Sequence, residues 1–162
     1  MPGTAVPEPR LRPRTASRLA AVQALYQIEQ AEAPAERVID EFIRHRLAAG
    51  APAEGAAPGA EVPLFARIVR GWAGQAGALD AAIIACLAEA WPMARLDPVL
   101  RALLRAAAAE LFDAQGAPAR AVIDEYLNVA HSFFGPEEPR FANGVMDRLA
   151  RTMRAREFAP GP

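Results

Sequence analysis

The chain has 162 residues, 52% of them hydrophobic, and a formal net charge of −1, enough apolar material for one domain with its own core. Its single cysteine, Cys86, excludes an internal disulfide and, sitting among Ile83, Ile84 and Leu87, reads as a buried, inert thiol. There is no apolar run of membrane-spanning length, and the proline-broken N-terminus lacks the apolar core of a signal peptide, so a soluble cytoplasmic protein is expected.

Charge is unevenly placed. Residues 1–18 carry Arg10, Arg12, Arg14 and Arg18 against the single acid Glu8, a local +3, while the rest of the chain is at −4. A concentrated positive field at one end points to a polyanion met by a tethered arm, although a basic tail that is merely solvated gives the same count. All 18 basic residues are arginine, which forks onto phosphate and stacks on bases better than lysine does.

In chain order, residues 1–14 hold Pro2, Pro7, Pro9 and Pro13 and are expected to form a flexible arm before a helical domain over 15–157. Helical spacing starts near Ala16, with Thr15 or Ser17 as the cap, and runs through Leu19, Val22, Leu25 and Tyr26 to Pro34. A second helix shows Val38, Ile39, Phe42, Ile43 and Leu47 on one face. Residues 50–61 are a loop by their Ala, Pro and Gly content. Leu64, Phe65, Ile68, Val69 and Trp72 mark the third helix, and Gly74 and Gly77 loosen the chain before a fourth with Leu79, Ile83, Ile84 and Leu87.

Asp97-Pro98 is a sharp helix start, because Asp caps free amides and Pro fits the first turn. The helix it opens is apolar nearly all round, from Val99 to Phe112 with Ala106 to Ala109 between, and is expected at the centre of the fold. A sixth helix carries Val122, Ile123, Tyr126, Leu127, Ala130, Phe133 and Phe134. A seventh, from about Arg140, carries Phe141, Val145, Leu149 and Met153, before a frayed tail over 158–162. No segment alternates with period two, so the prediction is an all-α bundle of about seven helices.

Three stretches together resemble the NusB family of transcription antitermination factors. They are Arg18-Leu-Ala-Ala-Val-Gln-Ala-Leu-Tyr26, Leu96-Asp-Pro-Val-Leu-Arg-Ala-Leu-Leu-Arg105 through Glu110-Leu111, and Ala121 to Phe134 followed by Arg140-Phe-Ala-Asn-Gly-Val-Met-Asp147. The similarity covers roughly residues 10–157 in the expected order. It implies a protein that binds boxA-like single-stranded RNA of nascent transcripts with the small-subunit ribosomal protein NusE. That assembly acts in the RNA polymerase antitermination complex and supports ribosomal RNA transcription.

The residues fit that chemistry, because single-stranded RNA needs cations along its phosphates and flat groups under its bases. Arg10, Arg12, Arg14 and Arg18 are the expected phosphate contacts, with Arg140 and Phe141 as a cation beside a ring. Phe141 shares a face with Val145 and Leu149, so core packing competes with base contact there, and Tyr26 has the same two readings. Gly144 inside a helix is read as a close helix approach, with Asn143 capping a neighbouring backbone group. Arg101 and Arg105, one turn apart, call for acidic partners such as Glu110 or Asp113 or for a solvent-facing rim. Asp40-Glu41 and Asp124-Glu125 read as solvated faces.

No catalytic, cofactor or metal site is expected. His45, His131 and Cys86 lack ligand spacing, and no phosphate-cradling glycine loop occurs. Two other readings stand beside the RNA-binding one: a helical protein–protein adaptor without an RNA role, and the detached NusB-like domain of an RNA methyltransferase. Exposed apolar faces on an Ala-rich bundle can serve NusE or a homodimer.

Overall fold

A computed structural model describes residues 11–48 and 59–161. Arg10 and most of the 50–61 loop therefore lie outside the described residues. Within them there are seven α-helices and no strand. Helix α1 (Pro13–Ala31) begins earlier than the expected Ala16, because a proline in the first turn gives up an N–H that has no helical acceptor. Pro13 and Arg14 are thus helical, not part of an arm. Neither expected cap caps it. Ser17 Oγ can donate to the Pro13 carbonyl at 2.8 Å or to the Glu61 carbonyl at 2.9 Å, and Thr15 Oγ1 donates to Glu125 at 2.9 Å.

Helix α2 (Ala35–Phe42) runs on into a π-helical turn at Ile43–Leu47. Helices α3 (Val62–Gly74) and α4 (Ala76–Ala85) are separated at Gln75, within the expected Gly74–Gly77 weak point. Asp97 opens α5 (Pro98–Phe112) as expected, its Oδ1 accepting from the Val99 and Leu100 amides at 2.8 and 3.3 Å. Helix α6 spans Ala119–His131. Helix α7 (Glu137–Met153) starts three residues before Arg140, since Glu137 and Glu138 suit the positive helix end and Pro139 is tolerated in a first turn.

The central helix is α5, which packs against α1, α3, α4, α6 and α7. Leu103, Leu104, Ala106, Ala107, Ala108 and Leu111 are all fully buried, the alanines letting neighbours come close. At Gly71 on α3 an added Cβ would sit 3.8 Å from the Ala109 Cβ. The expected close approach at Gly144 is absent: a Cβ there would meet the Arg148 guanidinium at 3.6 Å, and Asn143 is exposed and caps no backbone group among the described residues. Phe112, on the central helix, is 52% exposed, and Phe133, expected on the sixth helix, lies beyond the end of α6 at His131 and is 38% exposed.

Arg101 and Arg105 find partners from other helices, not from the far end of their own. Both donate to the Glu29 carboxylate of α1, and Arg105 also reaches Asp80 of α4 at 3.0 Å. At the opposite end of α5, Arg154 fans its guanidinium onto the carbonyls of Glu110, Leu111, Asp113 and Ala117 at 2.6–3.2 Å. That satisfies carbonyls a helix end leaves without partners. Glu157 accepts from the Ala119 amide at 2.9 Å, closing a 3-10 turn at Ala155–Phe158 against the start of α6. Phe158, expected to begin a frayed tail, is half-buried there.

Candidate nucleic-acid interface

These contacts set the orientation of the bundle. Arg18 near the start of α1 meets Glu110 near the end of α5, while Glu29 near the end of α1 meets Arg101 at the start of α5. One end therefore gathers the starts of α1 and α6 with the ends of α5 and α7. The other gathers the end of α1 and the starts of α5 and α7. With 19 residues at 1.5 Å rise, α1 spans about 28 Å between them.

At the first end, Arg12 and Arg14 are exposed on or beside the first turn of α1. Arg14 Nη1 is 4.0 Å from Glu61 Oε2 with more than half its side chain in solvent, a pairing too loose and wet to hold the cation. Both line a surface hollow with Thr15, Glu61, Ala117 and Ala121.

Arg18, expected as the helix-fixed phosphate contact, has another place. It is 3% exposed, with Nε at 2.9 and 3.2 Å from the two Glu110 carboxylate oxygens and Nη1 at 3.5 Å from Glu125. Burial disfavours its charge, but the hydrogen bond and charge of Glu110 outweigh this and leave the pKa raised above its ordinary value. Tyr126, wholly buried, donates to Glu110 Oε1 at 3.3 Å. Burial first, and then the Glu110 charge, push its hydroxyl pKa well above 10. A cation so engaged is support for α1, not a free contact. Glu125, read as part of a solvated face, is half-buried in the same network.

At the other end, Arg140 is exposed on α7 and makes no ion pair among the described residues. Phe141 beside it is half-buried, its ring 6.4 Å from that of Trp91, which is 57% exposed. Phe141 thus packs on the core edge and also faces a hollow with Trp91, Leu96, Leu100 and Glu138. Tyr26 is a surface residue, 39% exposed, sharing a second hollow with Arg46, Val99 and Phe133. The arm root and the Arg140–Phe141 pair are therefore not one pocket but opposite ends of one bundle.

Sequence reading missed the Arg18–Glu110–Tyr126 network and Trp91. A signal for the first was present: one charge of each sign lies inside two of the most apolar stretches, Ala16–Ala24 and Ala106–Leu111. Cys86 is half-buried, and burial pushes its thiol pKa up, away from a reactive thiolate. Among the described residues no group of three or more His, Cys, Asp or Glu side chains is placed to hold a metal.

Comparison with solved structures finds the same architecture in T. maritima NusB, with a TM-score of 0.72, 27% identity, and coverage of 91% of this chain and 99% of that one. An all-α fold of this kind, built round one central apolar helix, defines the class. The NusB family model matches residues 15–151. The transcription antitermination protein NusB of Granulibacter bethesdensis is 54% identical over 154 residues, covering 93% of this chain and 94% of its own. That of Gluconobacter oxydans is 48% identical over 145 residues, covering 88% and 89%. The chain belongs to the NusB family of transcription antitermination proteins, and as such it is a non-enzymatic factor.

Proposed function

We propose that this protein binds boxA-like single-stranded RNA of nascent transcripts together with the ribosomal protein NusE, in the cytoplasm, as part of an RNA polymerase antitermination complex that supports ribosomal RNA transcription. The observation that carries the reading is the pair of exposed guanidiniums of Arg12 and Arg14, which hold no close ion pair among the described residues, in a basic segment whose sequence continues through Arg10. Cations without strong internal partners are available to phosphate, and their affinity falls with salt. Arg140 and Phe141 supply a further cation and a ring for a base, about one helix length away, so the strand runs along the bundle.

Outside residues 1–18 the chain carries −4, so a basic protein partner is needed to complete the positive field. The exposed Tyr26 and Phe133 provide apolar surface that such a partner can cover. Isothermal titration of boxA-like RNA into the protein, into NusE and into their complex tests this. Tighter binding to the complex than to either protein is expected. Equal affinities with and without NusE would remove cooperative recognition, since coupling must appear as a free-energy difference.

A further inference from the structure

We propose that the RNA-binding surface extends from the arm root onto Arg120 at the start of α6, held over the ring of Phe158, and that this pair takes the phosphate backbone of the same strand. The proposal rests on the RNA-binding reading above and adds a contact to it. Arg120 is exposed, and its guanidinium carbon lies 5.1 Å from the Phe158 ring centroid. Stacking on the ring restrains a long side chain while leaving its N–H edges free. Arg120 makes no hydrogen bond or ion pair among the described residues, even though Asp124 follows it by one turn.

The platform is built, not incidental. Phe158 closes the turn that Glu157 ties to the Ala119 amide, and Arg154 anchors that turn to the end of α5. Arg151 lies 4.8 Å from the same centroid and is bonded to Asp147 at 2.9 Å, whereas Arg120 has no ion-pair partner among the described residues. Ala121, the next residue, lines the hollow that holds Arg12 and Arg14. The acids of that hollow are occupied or weakly placed: Glu125 bonds Thr15 and Arg18, and Glu61 stands 4.0 Å from Arg14. Arg120 thus borders that hollow along the chain, and a strand held at Arg12 and Arg14 can extend onto it. A phosphate is the fitting ligand, because a planar guanidinium presents paired donors that match two phosphate oxygens.

The test is fluorescence anisotropy of the protein–NusE complex with labelled boxA-like RNA carrying flanking uridines on both sides, over a range of salt. R120Q is expected to weaken binding and to flatten the log affinity against log salt slope by about 0.7, one phosphate on a single strand. F158L, which keeps an apolar contact but removes the ring face, is expected to weaken binding roughly two- to fivefold with an unchanged slope. R37Q, the same charge loss on an exposed site of α2, is expected to leave the slope as in wild type. Circular dichroism checks that each variant is fully helical. Wild-type affinity and slope in R120Q overturn the proposal, as does equal flattening by R37Q, and an unaltered F158L overturns the role of the ring. If alanines at Arg10, Arg12 and Arg14 flatten the slope while R120Q does not, this extension alone fails. If neither change matters, the RNA-binding reading itself falls.

Discussion

Arg18 and Glu110, 92 positions apart, form a buried ion pair with Nε at 2.9 and 3.2 Å from the two carboxylate oxygens, fastening the first turns of α1 to the last turns of α5. Tyr126 Oη completes the carboxylate's shell at 3.3 Å, so α6 joins the same junction. The pair bears on function through position: it fixes the direction in which Arg12 and Arg14 leave the bundle.

Removing one partner leaves an uncompensated buried charge. Arg18→Ala or Glu110→Ala alone should each cost about 3–5 kcal/mol, whereas replacing both by apolar residues of similar volume should cost far less. Urea denaturation of the three variants checks this. Additive losses in the double variant would show that the two charges are not coupled.

Leu104 is fully buried on the central helix. Leu104→Ala should destabilise by roughly 2–5 kcal/mol, through lost apolar contact and a residual cavity. A loss well under 1 kcal/mol in chemical denaturation would mean that the α5 interface can collapse around the gap.

Glu29 receives hydrogen bonds from Arg101 and Arg105, and these hold its pKa below the ordinary 4.5 against an opposing effect of burial. A carboxylate whose native pKa is depressed adds stability that is complete above its unfolded value and lost as pH falls through the native one. The wild type should therefore lose stability below about pH 4.5 more steeply than Glu29→Gln, with the variant already weaker at pH 7. Urea midpoints measured from pH 7 down to pH 3 decide it. Parallel curves for the two proteins would show that this carboxylate does not contribute to acid sensitivity.

The arginines at and before the start of α1 have their own signature. If Arg10, Arg12 and Arg14 each neutralise one phosphate, replacing all three by alanine should flatten the salt slope of RNA binding by up to about 2. Stability should hardly change, because Arg12 and Arg14 are exposed. Arg18→Ala should behave oppositely, with a large loss of stability and an RNA effect that follows unfolding. Filter binding across salt, paired with thermal melts, separates the two. A slope unchanged in the triple variant would acquit Arg10, Arg12 and Arg14 of RNA contact.

Apolar spacing, proline and glycine punctuation, and the Asp97 cap determined the helix content, the approximate element order and the central place of α5. These are local properties, because each helix is amphipathic or apolar on its own sequence. The basic N-terminal segment was legible for the same reason, being a run of like charge adjacent in the chain. What only tertiary structure decided was the fate of individual charged and aromatic side chains. Arg18 looks like its neighbours Arg12 and Arg14 until Glu110 arrives from another helix, and Arg101 and Arg105 take Glu29 and Asp80 instead of anything on α5. Phe158 reads as a loose tail until Glu157 and Arg154 tie its turn to the ends of α5 and α6. Helix period tells which face of a helix is apolar, but a partner for a buried charge must come from wherever the packing brings one, and burial without that partner is too costly to persist.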